Sequence, residues 1–327
     1  MAGIGNGYTP EPFRFQFDRG AQAPYSPPSN LLSLNNCNGT YPMPFDFISD
    51  LDLAIADYKQ ANHAKPNGFI IYKGPSKLDK KPIVVIAIPK SGNSKTDSML
   101  QTFIMRSDVP PLDALKSGDD YSVCGDCLAR PANKGWCYVN VAQSVNMVYK
   151  SLTQAPIIRK GIDTGNTYKP YCDISDNWLA ITQLGTDKDN RLGTYGDPAA
   201  VPLDIWHYLN AHAHGWNGYT HQWRTVSPAY SKYCMASIDK PCDTLTAELM
   251  GYRCFIAHVE GEDKPADTSY KVVTCPADKQ VHGEALASCK SCLGCGGTGG
   301  RGTTHRSITV HGTGYKVKRY LAWREAG

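Results

Sequence analysis

The sequence predicts an α/β protein with a parallel sheet, either open or curved into an incomplete β/α barrel, and with cysteine-rich metal-binding loops. Between residues 137 and 259, strand-like and helix-like patterns alternate at short spacing, as in βαβ units. Cysteines cluster on both sides of this repeat. We divide the chain into a Pro/Gly-rich arm with a short helix (1–65), an α/β metal-binding domain (66–312) and a basic, aromatic tail (313–327).

The elements before the repeat follow from local composition. Prolines break regular structure in the arm, and helical apolar spacing appears over residues 46–61. Three β-branched or apolar runs bounded by turn residues then predict strands at 68–72, 82–87 and 100–105.

The repeat predicts strands and helices in turn. Strands are expected at 137–141, 191–195, 218–223, 234–238 and 253–259, with a late strand at 307–310. Helices are expected at 144–152, 202–212, 228–233 and 244–250. Gly196-Asp197-Pro198 ends the second of these strands.

Bulk composition narrows the class of protein. The 327-residue chain is 41% hydrophobic and carries a net charge of +4, which permits nucleic-acid contact without indicating a basic footprint. No apolar run is long enough to span a membrane, so no membrane partner is expected. The first 19 residues lack a secretory-signal pattern. Twelve cysteines without such a signal predict a reducing compartment, the cytoplasm.

The C-terminal cysteines have the spacing of a metal site. Cys289, Cys292 and Cys295 form C-x2-C-x2-C, and Cys275, followed by Pro276, supplies a fourth thiol. Thiolates select zinc, copper(I) or iron–sulfur clusters. This run with a remote Cys-Pro favours a 4Fe–4S cluster. Structural zinc more often uses two separate C-x2-C pairs, so both metals stay open.

A second group is Cys124, Cys127 and Cys137, a candidate cofactor-binding set. Three thiolates can hold a four-iron cluster with one open iron, which can bind S-adenosylmethionine. The C-x3-C-x2-C spacing usual for radical enzymes is absent. A zinc site completed by Cys172, Cys234 or a histidine is the alternative. In a third interpretation Cys137 is a buried, small apolar residue.

Three residues near predicted strand ends are candidate catalytic residues: Asp197, His221 and Asp239. The carboxyl ends of parallel strands carry the chemistry in α/β folds. Tyr219, His221 and Trp223 alternate, so they are expected to share one face of a strand. The alternatives are that Asp197 caps a helix and that His221 is an ordinary buried histidine.

Two further patterns suggest contact with nucleic acid. His212-Ala213-His214 matches the His–hydrophobic–His pattern of rolling-circle nickases, with Tyr230 and Tyr233 as possible nucleophiles. The tail mixes basic and aromatic residues, namely Lys316, Lys318, Arg319, Arg324, Tyr315, Tyr320 and Trp323. Such a mixture binds phosphates and stacks on bases. Alternatively, the tail docks its aromatic side chains on the body.

Several motifs stand in one order along the chain. They are GFIIYKGPS (68–76), CGDC (124–127), CYVNV (137–141), GDPAAVP (196–202), GYTHQW (218–223), CMASID (234–239), Cys275-Pro-Ala, the C-x2-C-x2-C run and His311-Gly312. Over residues 66–312 the chain thereby resembles a family of cysteine-rich proteins of phages, prophages and plasmids. The resemblance implies a mobile-element protein made in a bacterial cytoplasm, and it implies no particular mechanism.

We therefore expect an iron–sulfur or zinc protein of a phage or plasmid that acts on nucleic acid or its precursors. Asp197, His221 and Asp239 are expected to line its site, and DNA or RNA is the expected partner of the tail. The alternatives are a non-catalytic, zinc-stabilised nucleic-acid-binding module, a rolling-circle nickase and a virion component tethered by the arm. Whether the protein is an enzyme stays open.

Overall fold

The computed structural model describes residues 48–89 and 96–326. Its strands are β1 (Phe69–Pro75), β2 (Pro82–Ile88), β3 (Leu100–Arg106), β4 (Pro156–Arg159), β5 (Ile162–Thr167), β6 (Cys172–Asp173), β7 (Asp189–Tyr195), β8 (Gly215–Asn217), β9 (Tyr219–Thr220), β10 (Met235–Ile238), β11 (Cys254–His258), β12 (Val272–Thr274) and β13 (His305–Thr309). The predicted arm lies outside the described residues as far as residue 47.

Helices alternate with these strands. They are α1 (Asp50–Asn62), α2 (Pro111–Ser117), α3 (Tyr121–Cys124), α4 (Asn146–Leu152), α5 (Trp178–Gly185), α6 (Leu203–Asn210), α7 (Thr244–Leu249), α8 (Lys279–His282), α9 (Cys289–Cys292) and α10 (Gly314–Ala326). Short 3-10 turns lie between several of them, and one π-helical turn, Val141–Val145, leads into α4. The fold is therefore mixed α/β, as predicted. Within the described ranges, no helix is both long and apolar enough to cross a membrane.

Two main sheets carry the fold. The first has the strand order β6-β1-β2-β3-β7-β8, in which β1, β2 and β3 are antiparallel neighbours and β7 and β8 add in parallel. The second has the order β12-β13-β11-β10-β9 and is parallel throughout. A separate hairpin joins β4 and β5. The described residues form no closed barrel.

Along the chain, a single glycine lies between a strand of the first sheet and a strand of the second. Strand β8 ends at Asn217 and β9 begins at Tyr219, so Gly218 lies at the crossing point. A Cβ atom at Gly218 would lie 2.8 Å from the Tyr233 carbonyl oxygen and 3.0 Å from the sulfur of Cys234. Any larger residue would push the chain away from β10, so the close approach of the two sheets requires glycine here.

Burial explains why the central strands form. Every residue of β3 is buried, and β2 is buried from Ile83 to Ala87. Strand β2 forms a continuous apolar run because both of its faces are covered by other elements, whereas β3 also buries polar Gln101, Thr102 and Arg106. Each fully buried aliphatic side chain contributes about 1.5–3 kcal/mol relative to exposure, so these strands are the main source of stability in the first sheet.

Most predicted elements of the repeat are confirmed, but two strands are wrong. Residues 137–140 form no strand, because the amide of Cys137 donates to the carbonyl of Ala129 within the cysteine loop (2.8 Å). The strand predicted at 218–223 contains only Tyr219–Thr220. There the backbone turns, since the amide of Gln222 donates to Oγ1 of Thr220 (3.0 Å). The pattern also missed β4, β5, β6, β8 and β12.

Both ends of the described chain pack on the body. The helix expected over 46–61 is α1, which begins after the N-cap Ser49 and donates from the Leu51 amide to Gln183 (2.9 Å). The expected tail is α10, and its Tyr320 is fully buried. For Tyr320, the structure therefore agrees with the alternative that the tail docks its aromatic residues on the body.

A buried acid–histidine pair joins α7 to β13. His305 donates from Nε2 to Glu248 (2.7 Å) and accepts from the amide of Cys254 at Nδ1 (2.9 Å). Glu248 also accepts from the amides of Ser269 and Tyr270. Burial raises the pKa of Glu248, but these hydrogen bonds outweigh it and hold the pKa below its ordinary value.

Replacing Glu248 with Ala should lower the free energy of unfolding near pH 7 by about 1–3 kcal/mol, because it leaves the buried Nε2–H of His305 without an acceptor. Since the folded-state pKa is depressed, this stabilisation is present above the ordinary pKa of 4.5 and is lost as pH falls below it. Urea unfolding at several pH values measures the effect. Exposed Glu260→Ala is the control, and equal stability of Glu248→Ala and wild type at pH 7 would contradict the prediction.

Candidate metal centre and cavity

Both cysteine groups line one cavity of about 400 Å³. Cys127 and Cys137 lie at its wall together with all four C-terminal cysteines, and the rest of the lining is mostly apolar. His221 follows β9 and Asp239 follows β10, and both also line it. The cavity therefore extends to the carboxyl ends of parallel strands, where α/β folds place their ligands.

The first cysteine group, Cys124, Cys127 and Cys137, is held by a rigid loop. Arg130 donates from Nε to Asp120 (3.0 Å) and from its two terminal nitrogens to the carbonyls of Gly125 (3.1 Å) and Gly118 (2.8 Å). Asp120 is fully buried. A buried ion pair with its remaining donors satisfied fixes a single loop geometry.

Burial and mutual charge act on the thiols of the first group. Burial raises the pKa of Cys124 well above its usual range, and the neighbouring Cys127 and Cys137 raise it further. Burial also raises the pKa of Cys137, where the charges of Lys316 and His221 oppose the effect. The three sulfurs are therefore close enough to one another, and to His221, for their charges to interact.

Gln222 clamps the first cysteine loop onto the end of β9. Its Nε2 donates to the carbonyl of Cys124 (3.0 Å), and its Oε1 accepts from the amide of Asp126 (3.1 Å). Between them lies Gly125, where a Cβ atom would be 2.4 Å from Oε1. Since Gln222 follows His221 directly, the clamp also sets the position of His221.

His221 lies between a thiol and a carboxylate. Its Nε2 is 3.4 Å from Oδ2 of Asp239, and it shares the cavity wall with Cys127. Burial lowers the pKa of His221, but the charges of Cys127 and Asp239 outweigh it and raise the pKa well above the usual range. Two of the three predicted catalytic residues, His221 and Asp239, are thus brought together.

Asp197 does not line the cavity. One of its oxygens accepts from the amide of Ala199 (2.9 Å), which caps a 3-10 turn, and the other accepts from the amide of His221 (2.8 Å). Burial raises the pKa of Asp197, and these hydrogen bonds oppose the rise. The structure therefore gives Asp197 the capping position that the sequence left as the alternative, and Asp197 holds the backbone of His221.

The predicted shared face of Tyr219, His221 and Trp223 is only partly present. Tyr219 and His221 both line the cavity. Trp223 is buried elsewhere and donates to the carbonyl of Ser237 (3.1 Å). The alternation ends because the strand stops at Thr220.

The second cysteine group, Cys275, Cys289, Cys292 and Cys295, is held around β8. Asn217 of β8 donates to the carbonyl of Cys289 (3.3 Å) and accepts from the amide of Cys295 (3.1 Å). Ser288 caps α9, which carries Cys289 and Cys292. Burial raises the pKa of Cys295 to about 12, a hydrogen bond from Tyr219 opposes it, and the other three cysteines add to it.

Three arginines surround the second cysteine group, and none of them forms an ion pair with a described Asp or Glu. Arg191 lines the cavity, and its charge interacts with Cys289 and Cys295. Arg253 is 1% exposed, and its charge also interacts with Cys295. Arg306 packs against Gly294.

Backbone carbonyls and unsatisfied donors complete this region. Arg253 donates to the carbonyls of Gly294 (3.2 Å), Gly297 (3.0 Å) and Thr304 (2.8 Å), which fixes the glycine-rich loop. Nε of Arg306 and Nε1 of Trp216 are buried without a hydrogen-bond partner in the described ranges. Buried donors of this kind call for an acceptor.

The sulfurs are neighbours, but they do not converge on one point. Across residues 48–89 and 96–326, no group of three or more His, Cys, Asp or Glu side chains is arranged to hold a metal ion. The cysteine-rich segments are therefore present as loops, and metal binding by them stays a prediction.

The residues of the nickase pattern lie apart from the cavity. His214 contacts Asp189 (2.7 Å). Tyr230 is buried and donates to the carbonyl of Val201 (2.6 Å), and Tyr233 is buried against His207 (3.1 Å). Neither phenol is exposed as a nucleophile.

Helix α10 does not project from the body but packs against residues that line the cavity. The Tyr320 hydroxyl donates to the carbonyls of Asp239 (2.7 Å) and Ala257 (3.2 Å). Trp323 packs on Trp136, with ring centroids 4.9 Å apart. Tyr320 is thus unavailable for stacking on bases, whereas Tyr315 is 64% exposed.

Sequence reasoning missed several residues that build this region. No pattern marked three arginines, because each lies in a strand or just before one and belongs to no recognisable motif. They are Arg191, Arg253 and Arg306. Gln222 could have been noticed, because it directly follows His221 in the GYTHQW motif.

No family model matches the chain, and no curated protein or solved structure matches it significantly. The resemblance based on motifs stays a prediction.

Replacing Arg130 with Met should destabilise the protein by about 3–5 kcal/mol, because it leaves buried Asp120 as an uncompensated charge. Urea unfolding measures the loss. Reaction of the first-group thiols with an aromatic disulfide should also become faster, since the loop loses its anchor. Exposed Lys134→Met is the matched control, and an Arg130→Met protein with the wild-type unfolding midpoint would contradict the role of the ion pair.

Proposed function

We propose that the protein is a metal-dependent enzyme of a phage or plasmid, in which the second cysteine group binds an iron–sulfur cluster or zinc beside a substrate cavity. One observation carries this proposal. Three arginines that form no ion pair with a described Asp or Glu, Arg191, Arg253 and Arg306, lie beside the loop of the second cysteine group.

Charge balance supports a metal at this group. Buried charges are costly unless they are paired, and neutral thiols provide no counter-charge for buried Arg253 or half-buried Arg191 and Arg306. Four thiolates around one divalent ion, or around a four-iron cluster, carry net negative charge. Metal binding would therefore supply the anion that these arginines do not find among the described Asp and Glu side chains. The unpaired N–H groups of Arg306 and Trp216 would find acceptors in the same sulfur-rich region.

The donor set suits either metal. Thiolates are the ligands of both zinc and iron–sulfur sites. The C-x2-C-x2-C spacing with a remote Cys-Pro favours the 4Fe–4S cluster. Ligation would require the cysteine side chains to change rotamer so that their sulfurs converge, which staggered χ1 wells allow.

The cavity supports a small substrate. Its volume of about 400 Å³ falls within the usual range for small-molecule sites. We therefore favour nucleic-acid precursors over a duplex as the substrate class. His221 and Asp239 are the ionisable side chains proposed for acid–base work or ligation at the strand ends. An open iron in the first cysteine group would bind S-adenosylmethionine.

Metal and acid-labile sulfide content should be measured on protein purified without oxygen. We expect iron and sulfide in wild type and less of both in Cys292→Ala. Zinc without sulfide would identify the zinc form of the same site. The control is Cys242→Ala, which removes an exposed cysteine outside both groups. Wild-type protein with neither metal would contradict the proposal.

Replacing Arg191 with Met should weaken metal retention by about 10- to 100-fold, the range typical of groups that support the ligands. Arg191→Lys should retain most of the affinity because it keeps the charge. Competition with a chelator measures the change. Arg224→Met is the control, since Arg224 pairs with Asp243 away from both cysteine groups. Equal affinity in Arg191→Met and wild type would contradict the charge-balance argument.

Nucleic acid remains a proposed partner through the outer face of α10. Lys318 and Tyr315 are exposed there. This surface is smaller than the sequence suggested, because Arg324 pairs with Glu262 and Arg319 donates to the carbonyl of Gly135.

A further inference from the structure

We propose that His221 is the fourth ligand of the first cysteine group and that Asp239 orients it, which makes this group a closed Cys3His site. The inference rests on the proposed function only in assuming that the thiols bind metal. It assigns His221 to ligation instead of acid–base work. It also removes the open coordination position that S-adenosylmethionine would need.

The contacts of His221 point to this role. It shares the cavity wall with Cys127 and Cys137, and its charge interacts with those of both cysteines. Cys124, at the start of the same loop, interacts in turn with both of these cysteines. The imidazole therefore lies beside the first cysteine group, although it comes from a chain segment about ninety residues away. As at the second group, the described side chains do not yet converge on one point, so ligation would require rotamer changes.

Backbone anchors hold His221 against the cysteine loop from two sides. Asp197 accepts from the His221 amide (2.8 Å), and the amide of Asp197 itself donates to the carbonyl of Val123 (2.6 Å), next to Cys124. On the other side, the Gln222 side chain donates one hydrogen bond to the loop and accepts another from it. A ligand placed by such anchors loses little conformational freedom when metal binds.

Asp239 occupies the position of a supporting carboxylate. Ligating histidines usually donate their second ring N–H to a carboxylate or carbonyl, which fixes the tautomer. Asp239 lies 3.4 Å from Nε2 of His221, which leaves Nδ1 for the metal. Asp239 is fixed in turn, since its carbonyl accepts from Tyr320 (2.7 Å).

The donor set also fits by charge. Three Cys and one His form a standard set for structural zinc. Three thiolates and a neutral imidazole around a divalent ion leave a net negative charge. Lys316 of α10 supplies a nearby cation, because its charge acts on Cys137.

The test uses 113Cd²⁺ as the probe, bound to the full-length, reduced chain and observed by NMR. Wild type should show two resonances, one typical of four sulfurs and one typical of three sulfurs and a nitrogen. Labelling histidine with 15N should split only the second. Cys292→Ala should remove or shift the first resonance alone, which assigns it to the second cysteine group.

His221→Cys should move the second resonance to the four-sulfur region without loss of bound cadmium, and His221→Ala should lose or shift it. Asp239→Asn should retain the resonance but weaken cadmium binding about 10- to 100-fold. The control is His214→Ala, at an exposed histidine paired with Asp189.

The outcomes separate the two proposals. A second resonance without 15N splitting that also ignores both His221 substitutions overturns the ligand assignment and leaves the metal proposal intact. Cadmium bound only by the second cysteine group does the same. No cadmium bound by wild type overturns both proposals.

Discussion

One short segment, residues 215–223, holds both cysteine groups in place. At its start Asn217 bonds to Cys289 and Cys295, and the Gly218 amide donates to the Cys295 carbonyl (3.0 Å). At its end Gln222 bonds to the loop of the first group. The same segment crosses from one sheet to the other at Gly218. A shift of this segment would therefore displace both ends of the cavity together.

The two ends of the cavity differ in how their charges are balanced. At the second cysteine group, three arginines lie near the thiols and form no ion pair with a described Asp or Glu. At the first group, the nearby charges are mixed, since Asp239 faces His221 and Lys316 acts on Cys137. A more negative centre is therefore better accommodated at the second group. This difference is consistent with four thiolates at one end and three thiolates with a neutral ligand at the other.

Sequence patterns predicted the strands well where burial dictates them. Strand β2 is an apolar run, and β3, β10 and β11 are short segments in which no residue is exposed, so composition and turn residues locate them. The pattern failed at 137–141 and predicted too long a strand at 218–223, where specific hydrogen bonds override local preference. The amide of Cys137 donates to the carbonyl of Ala129 across the cysteine loop, and the amide of His221 donates to Asp197, 24 residues away. A pattern of neighbouring residues encodes neither contact.

The candidate site, too, was predicted from the sequence only in part. Cysteine spacing predicted two groups of neighbouring thiols because cysteines two residues apart share one loop, and metal binding by them stays a prediction. Spacing could not predict that His221 would reach the first group, since that contact depends on the crossing at Gly218 and on the Gln222 clamp. It also could not identify the arginines, which stand out because they form no ion pair with a described Asp or Glu.

Charge balance also restricts what the cavity can bind. Among the described residues, Arg191 is the only Lys or Arg in its lining, and metal-bound thiolates would use that charge. A substrate phosphate would then lie between two anionic centres without a further cation among the described lining residues, which is costly in a mostly apolar cavity. An uncharged, planar ligand such as a nucleobase carries no net charge, so the two anionic centres do not make its binding costly. If both cysteine groups bind metal, the cavity therefore favours the base portion of a nucleic-acid precursor over its phosphate.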